Sequence, residues 1–566
     1  MNKLLLSTLL LMLMVAPNAE TAVAQIREVK VAGGEVKGSV SDGVSSFKGI
    51  PFAAPPVAEL RWKAPQPVKP WSGVLKAYSF APACMQPLDG PRFTLYPTEK
   101  VSEDCLYLNV WTAAKNENEK RPVLVWVHGG GFTRGMTKTP LYDGSRFAQK
   151  GIVFVSVAYR LGPFGFLAHP ELSRENGKGS GTYGLQDVIA GLQWVKDNIV
   201  QFGGDPSCVT ILGQSAGGSI VSMLAASPAA KGLFHRVIAE SGASFAPPRS
   251  GNEAGMTVPA LDSAESTGKN FLAQLRVTNI KAARALSAQK IQDRSAANAQ
   301  GTFWPVADGD VLPGDQYELF LAERFNDTPT LIGTNSDEGA AFARGPSSAK
   351  SFEQYVRNNF GPNAESILSV YPHASNSEAT QASRDIGRDS VFAWHAWTWA
   401  RLQTLKGKNK AFLYYFDYRN PLSQGAGASH SAELAYVFGN FSHPNGSFVF
   451  SPGEIGNKGG PGINQPPRTP GNIGFADAGP TNYENALSDM MSSFWVNFAR
   501  SGDPNGEGLP EWPAFSEKQM TAMYFGSNSS SARTLPNIEK LNAFDPYYAR
   551  RRSEAGSRTG NPPIPK

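Results

Sequence analysis

The stretch FGGDPSCVTILGQSAGGSI, residues 202–220, joins a short apolar run to a run of small residues through Gly-Gln-Ser-Ala-Gly. The β-branched run 209–212 predicts a strand, and the small residues after Gly217 predict a helix. A serine in such a sharp turn projects its hydroxyl above the sheet edge, and glycines two residues before and after it relieve the crowding. Ser215 is therefore predicted to be a nucleophile, the alternative being a simple strand-to-helix turn.

Further short apolar runs recur along the chain and predict the other strands of a sheet. They are continuously apolar rather than alternating, which is typical of strands covered on both faces. Helical periods lie between them, as in 185–199, where apolar residues recur at 3.6-residue spacing. This alternation predicts an α/β fold with a mostly parallel sheet flanked by helices. The predicted strands are 123–127, 152–157, 209–212, 237–238, 330–333 and 412–416.

Other segments depart from this rhythm. Residues 26–52 carry strand-like pieces between glycine turns and predict antiparallel edge strands. Residues 451–481 are rich in Gly and Pro, which predicts a long loop, and 483–500 resume a helical pattern. The final residues, 549–566, are predicted to be a disordered tail, whose arginines 550–552 indicate a solvated end rather than a nucleic-acid arm.

A nucleophilic serine needs backbone donors for the oxyanion that forms when it attacks a carbonyl. The sequence His128-Gly129-Gly130-Gly131-Phe132 directly follows the predicted strand 123–127. Glycine backbone can approach a substrate closely and offer its N–H groups to a tetrahedral oxyanion. The segment therefore predicts an oxyanion hole, the alternative being a flexible glycine turn.

The nucleophile also needs a general base and an acid that orients it. His430 lies in a small-residue loop past the strand 412–416, which suits a base reaching over the sheet edge, and His443 is the next candidate. Asp337 and Glu338 both follow the strand 330–333 in a Gly-bounded loop. The chain order Ser…acid…His is that of α/β-hydrolases. The spacing alone leaves both choices open.

Composition and the N-terminus indicate an exported globular protein. Of 566 residues, 41% are hydrophobic and 18% charged, and the net charge of +5 is too dispersed to indicate a nucleic-acid partner. Lys3, an apolar run and small residues at 22–24 predict a signal peptide over 1–24, with the enzyme domain spanning 25–548. The apolar run is shorter than the roughly 20 residues of a spanning helix, so no membrane partner is expected. Three cysteines in an exported chain allow one disulfide.

Several longer motifs make the chain resemble type-B carboxylesterases of the cholinesterase/carboxylesterase family. They are FGGDPSCVTILGQSAGG around Ser215, SEDCLYLNVW at 102–111, VHGGGF, VAYRLGPFGFL and SGDPNG…WPAF. The resemblance covers about 29–544, and it implies a single α/β-hydrolase domain with large insertions and no cofactor. Its substrates would be small-molecule esters, hydrolysed through an acyl-enzyme.

The same resemblance assigns roles residue by residue. It implies Ser215 as nucleophile, Glu338 as acid and His430 as base, with Ser241 as a buried serine that supports these three. It also implies a disulfide and an oxyanion hole made of backbone N–H groups. The residues concerned are Cys84 and Cys105 for the disulfide, and Gly130, Gly131 and Ala216 for the oxyanion hole.

Some positions depart from the family pattern and suggest a substrate class. The family usually has Glu before the nucleophile, where this chain has Gln214, and Gly after the histidine, where it has Ser431. The glycine loop continues with Thr133 and Arg134, which places a guanidinium within a few residues of the oxyanion hole. Losing an acid and adding an arginine would favour esters of carboxylate-bearing acids. Bacterial fumonisin esterases, which resemble this family and release tricarballylic acid, fit that description, whereas an outward-facing Arg134 would leave a general carboxylesterase.

Other function classes are less consistent with the residues. A non-catalytic binding protein on the same fold would lack the nucleophile, acid and base. A lipase would need an apolar lid, yet the segment between Cys84 and Cys105 carries Asp89, Arg92 and Glu99. A metal hydrolase would need paired histidine ligands, and the seven histidines show no such pairing, so no metal is expected. The oligomeric state does not follow from the sequence.

Overall fold

The computed structural model describes residues 25–88, 100–250, 257–298, 301–341, 346–419, 427–441 and 480–559, with side chains up to residue 556. The predicted signal peptide, His443 and nearly all of the predicted loop 451–481 lie outside these residues. The largest sheet in the described part has eleven strands. In spatial order they are Ser530–Thr534, Thr521–Gly526, Ala411–Asp417, Thr330–Asn335, Arg236–Glu240, Gly204–Gln214, Arg121–Val127, Val153–Val157, Tyr107–Thr112, Val44–Pro51 and Ser39–Ser41.

The centre of this sheet is parallel and its margins are antiparallel. Parallel pairing runs from Val153–Val157 through to Thr521–Gly526, and it includes every strand predicted from the apolar runs. At one margin Ser530–Thr534 pairs antiparallel with its neighbour, and at the other Val44–Pro51 pairs antiparallel with Tyr107–Thr112. The antiparallel strands predicted early in the chain are therefore confirmed.

The central strands bury both faces, which explains their unbroken apolar sequences. In Arg121–Val127 the alternate residues Val123, Val125 and Val127 belong to one core cluster, while Leu124 and Trp126 belong to the other. Successive side chains of a strand point to opposite faces, so a strand between two helical layers has no polar face. The fold is thus a mostly parallel α/β sheet with a hydrophobic core on each side, which is the arrangement that the resemblance implies.

Helices cover the two faces of the sheet. The first core contains residues of Tyr183–Asn198, the helix predicted over 185–199, and the second contains residues of Asn482–Ser501, predicted over 483–500. The remaining α-helices of the described chain are Ser145–Gln149, Gly162–Phe166, Pro170–Asn176, Ala216–Ala226, Leu261–Gln274, Ile280–Arg284, Ala288–Ala296, Gln316–Leu321, Ala349–Phe360, Ala364–Leu368, Asn376–Arg388, Trp394–Lys406, Leu434–Phe438, Ile538–Asn542 and Phe544–Thr559.

The end of the chain differs from its prediction as a disordered tail. Helix Phe544–Thr559 includes residues 549–559, the first eleven residues of the predicted tail. Within it, Arg552 forms an ion pair with Asp315 and its guanidinium lies 3.9 Å from the centre of the Tyr317 ring. Arg550 donates to Asn363. These tertiary contacts stabilise a segment whose charged sequence has little helical amphipathicity of its own.

Two small sheets lie outside the main one. Strands Glu28–Val31, Gly34–Lys37 and Val74–Lys76 form a three-stranded sheet, and Ala83–Cys84 pairs with Val101–Ser102. Among the residues that the structure describes, no helix is long and apolar enough to cross a membrane.

Candidate active site

The strand-to-helix turn at Ser215 has the strained geometry that the sequence predicts. Ser215 lies between strand Gly204–Gln214 and helix Ala216–Ala226, with φ 57° and ψ −122°. Its neighbours leave no room for side chains, because a Cβ on Gly213 would lie 2.3 Å from the Gly217 carbonyl oxygen. The Ser215 N–H donates to the Glu240 carbonyl at 2.8 Å, which ties the turn to the adjacent strand. The turn therefore holds the hydroxyl at the carboxyl edge of the sheet.

Glu338 and His430 meet at the same edge. Glu338 begins a short 3₁₀ turn after strand Thr330–Asn335, and its Oε2 lies 2.5 Å from His430 Nδ1. Both side chains are buried. The second oxygen of Glu338, Oε1, accepts the backbone N–H of Asn335 at 2.8 Å. A carboxylate held in this way fixes the orientation of the imidazole ring.

The structure separates the candidates that spacing left open. Asp337, the other predicted acid, forms an ion pair with Arg384 instead of reaching His430. Arg384 also favours the charged form of Asp337, although burial is the larger effect and raises its pKa. Glu338 is thus the acid that contacts the histidine, and His443, the alternative base, lies outside the described residues.

Other histidines are engaged elsewhere. His235 Nδ1 accepts the Val209 N–H, and His395 Nδ1 accepts the Phe245 N–H at 2.9 Å. Burial lowers the pKa of His395 to about 3, so its ring stays neutral. In the described part of the chain no group of three or more His, Cys, Asp or Glu residues could hold a metal ion.

The glycine loop after strand Arg121–Val127 passes directly beside the serine. A Cβ on Gly129 would lie 3.0 Å from Ser215 Cβ. Gly130 and Gly131 have φ values of 120° and 63°, which suit glycine, and the carbonyl of Gly130 accepts the N–H groups of Thr133 and Arg134. Among the described residues, the N–H groups of the three predicted oxyanion donors make no hydrogen bond to one another or to a neighbour. These donors are Gly130, Gly131 and Ala216.

Phe132 anchors the far side of this loop. It is buried, and its ring packs edge-on against Trp304 and Phe166 at centroid distances of 4.4 and 5.4 Å. The Phe132 carbonyl accepts the Gly162 N–H at 2.7 Å. A loop rich in glycine is therefore held in one conformation by packing at its end.

The three residues predicted to contact substrate lie in the glycine loop and directly before Ser215. The Thr133 hydroxyl lies 3.4 Å from the Gly130 carbonyl, so it caps the loop. Arg134 is half-buried, and its backbone N–H donates to the same carbonyl at 3.1 Å. Gln214 is buried, and its amide nitrogen lies 2.8 Å from Ser431 Oγ and 3.3 Å from His430 Nε2. Ser241 is buried directly after strand Arg236–Glu240, and its N–H donates to the Gly333 carbonyl.

Several contacts around the site had no signal in the sequence. Asn335 donates from its backbone to Glu338, and from its side chain to Glu433 and to the Ser429 carbonyl next to His430. The Phe392 ring lies 4.7 Å from the His430 ring and belongs to the π-helical segment Asp389–Ala393. Such π-turns occur frequently at functional sites. Apart from the Asn335–Glu338 hydrogen bond, these contacts join distant parts of the chain, which spacing cannot reveal.

Two further carboxyl groups, those of Glu240 and Glu433, are buried near Glu338. Glu240 accepts Trp495 Nε1–H at 2.7 Å, and burial raises its pKa to about 8. Burial, with the charges of Glu240 and Glu338, also raises the pKa of Glu433 well above its usual range.

The disulfide implied by the resemblance is present between Cys84 and Cys105.

A family model described as the carboxylesterase family matches residues 20–454 and 470–544. The chain belongs to the carboxylesterase family. This carboxylesterase is 34% identical over 525 residues to the fumonisin B1 esterase of Sphingopyxis macrogoltabida, which covers 89% of this chain and 87% of that one. It is also 34% identical over 511 residues to the para-nitrobenzyl esterase of Bacillus subtilis, covering 87% and 94% of the two chains.

A solved structure of a PNB esterase is similar to this carboxylesterase in three dimensions. The TM-score is 0.74 at 31% sequence identity, over 92% of this chain and all of the other. The enzyme is thus a carboxylic ester hydrolase with the α/β-hydrolase fold.

Proposed function

We propose that Ser215 is the nucleophile, His430 the general base and Glu338 the acid of this carboxylesterase. The observation that carries the proposal is the 2.5 Å contact between Glu338 and His430, whose other ring nitrogen lies 3.3 Å from the residue preceding Ser215. A carboxylate only accepts hydrogen bonds, so Nδ1 carries the proton and the lone pair of Nε2 can act as the base.

The reaction follows from these positions. His430 Nε2 takes the Ser215 hydroxyl proton as Oγ bonds to the ester carbonyl carbon, and the N–H groups of Gly130, Gly131 and Ala216 stabilise the oxyanion. The ester C–O bond then breaks, and the alcohol leaves with the proton from His430. Water repeats the sequence on the acyl-enzyme and releases the acid and free Ser215.

Covalent labelling tests these roles. A fluorinated organophosphonate should attach to Ser215 in the wild type and leave Ser215→Ala unlabelled, as read by peptide mass spectrometry. His430→Ala and Glu338→Ala should both slow the reaction sharply, because the serine loses its base or the base loses its orientation. Labelling of another residue, or normal activity in Ser215→Ala, would contradict the assignment.

We propose further that the preferred esters carry carboxylates on the acyl side. Support comes from the neutral Gln214 beside Ser215, from Arg134 in the oxyanion loop, and from the relative named as an esterase of fumonisin B1. Tricarballylate esters of fumonisin are then the candidate substrates. The para-nitrobenzyl esterase of similar identity favours the second candidate, a general carboxylesterase acting on neutral acyl esters.

A matched pair of esters separates these two candidates. One ester has a plain acyl chain and the other a chain of equal length ending in carboxylate, and kcat/KM is measured for both. The charged ester should be preferred, and Arg134→Ala should lower that preference about 10- to 100-fold, the value of a charge-assisted hydrogen bond. Equal rates with both esters, unchanged in Arg134→Ala, would favour the general carboxylesterase.

Export is also a proposal. Residues 1–24 would be removed as a signal peptide, leaving the domain 25–548 to act in the periplasm or outside the cell, and the Cys84–Cys105 disulfide suits an oxidising compartment. Intact-mass measurement of the exported protein should give a chain beginning near Gln25. A cytoplasmic protein that retains Met1 would contradict export.

A further inference from the structure

The side-chain amide of Gln214 touches two consecutive residues of the loop that carries the histidine. Its Nε2 lies 2.8 Å from Ser431 Oγ and 3.3 Å from His430 Nε2. Gln214 and His430 are almost completely buried, so these contacts are shielded from solvent. Gln214, which ends strand Gly204–Gln214, and Ser431, which follows His430, are therefore in direct contact.

The contact with His430 competes with the chemistry proposed for that ring. Because Glu338 Oε2 accepts the Nδ1 proton, Nε2 has a single lone pair. An amide nitrogen can only donate, so an amide that bonds strongly to this lone pair displaces the Ser215 hydroxyl from it. The amide nitrogen is closer to Ser431 Oγ, at 2.8 Å, than to His430 Nε2, at 3.3 Å. Ser431 is therefore its stronger hydrogen-bond acceptor.

Ser431 has an unusual backbone conformation for a residue other than glycine. Its φ of 72° lies in the left-handed region, which favours glycine over residues with a Cβ. Glycine there would relax the backbone but would provide no hydroxyl. The strained conformation directs Oγ to the Gln214 amide, and it persists because the surrounding contacts determine it.

We infer that Ser431 is a positioning residue, which holds the Gln214 amide so that His430 Nε2 stays available to the Ser215 hydroxyl. The inference rests on the proposed roles of Ser215 and His430. Gln214 would then provide a neutral wall beside the nucleophile without blocking its base. Neither residue needs to touch substrate for this effect.

A double-mutant cycle tests the inference. The rate of Ser215 phosphonylation, kcat and KM are measured for Ser431→Ala, Gln214→Ala and the double variant. Ser431→Ala should react about three- to tenfold more slowly with KM nearly unchanged, since one hydrogen bond determines the occupancy of Nε2. In the Gln214→Ala background the same substitution should have no further effect, because the competing amide is absent.

Ser431→Gly is the matched control. It removes the same hydroxyl and also relieves the strained φ, so it should react as slowly as Ser431→Ala while unfolding at a higher temperature. It also keeps the test usable if Ser431→Ala fails to fold. A normal rate in Ser431→Gly, or an equal loss in both Gln214 backgrounds, would overturn the inference. Failure of the wild type to label at Ser215 would instead overturn the proposed function.

Discussion

His128 fixes the first peptide group of the glycine loop 129–131. Its Nδ1 lies 2.9 Å from the Gly129 carbonyl oxygen, and its ring stacks on Tyr159 at 4.5 Å. A carbonyl only accepts, so Nδ1 carries a proton, and burial lowers the pKa of His128 to about 4, which keeps the ring neutral. The Gly129 C=O and the Gly130 N–H belong to one planar peptide group. Holding the carbonyl therefore also aims the N–H of a predicted oxyanion donor.

We expect His128→Ala to lower kcat by about tenfold or more while leaving KM nearly unchanged. The reason is that an oxyanion donor acts mainly in the transition state, where loss of a whole donor costs about 100-fold or more. Steady-state kinetics on a simple ester measures the effect. His128→Asn, which retains an N–H donor, should keep more of the rate. A fall in thermal stability with unchanged kcat in both variants would show a purely structural role.

At the level of single residues, the sequence predicts the candidate site residues that directly follow a predicted strand. Ser215, His430 and the acid at 337 or 338 follow predicted strands, and parallel strands carry their carboxyl ends to one edge. The choice between Asp337 and Glu338 depends on Arg384, which lies far away in the chain. The contact of Gln214 with Ser431 likewise requires the folded arrangement, because it joins residues 217 positions apart.

At the level of elements, apolar runs predict the buried strands well because both faces are covered. The strand predicted over 330–333 is observed as Thr330–Asn335, and that over 412–416 as Ala411–Asp417. The sequence does not predict the C-terminal helix Phe544–Thr559, because the charged residues after 548 give no apolar stripe. The helix is stabilised by contacts with residues of other elements, and the local sequence pattern carries no information about those contacts.

Arg552 tests that explanation. It forms an ion pair with Asp315 and donates to the Phe245 carbonyl, and both charged side chains are nearly buried. Arg552→Ala should lower the free energy of unfolding by about 3 kcal/mol, because it leaves Asp315 buried without its cation. The exposed Arg174, changed to Ala, is the control and should have little effect. Equal unfolding midpoints for the two variants would indicate that the helix contributes little.

The disulfide offers a second test at this level. It links Cys84 to Cys105 across a sequence separation of 21, close to the short strand pair Ala83–Cys84 and Val101–Ser102. Closing a loop of this size stabilises a protein by about 3 kcal/mol in the chain-entropy description. The double variant Cys84→Ser with Cys105→Ser should therefore unfold at lower denaturant concentration. An unchanged midpoint would mean that the reduced chain keeps this loop closed without the bond.

At the scale of the whole molecule, the buried carboxyl groups make stability depend on pH. The pKa of Glu240 is raised by burial from an ordinary 4.5 to about 8, so the folded protein keeps a proton that the unfolded chain loses. Stability from this group is complete below about pH 4.5 and is lost progressively as pH rises to about 8. Glu433, with a pKa raised in the same direction, adds to the trend.

Glu240→Gln should therefore be more stable than the wild type by an amount that grows with pH across this window. The glutamine cannot ionise, and its carbonyl can still accept the Trp495 Nε1–H. The gain is at most about 1.4 kcal/mol per pH unit. Thermal unfolding at pH 5, 6.5 and 8 measures it, and the exposed Glu507, changed to Gln, should give curves parallel to the wild type. If the stability of Glu240→Gln instead changes with pH in the same way as that of the wild type, Glu240 is ionised in the folded protein and its charge has a partner other than Trp495.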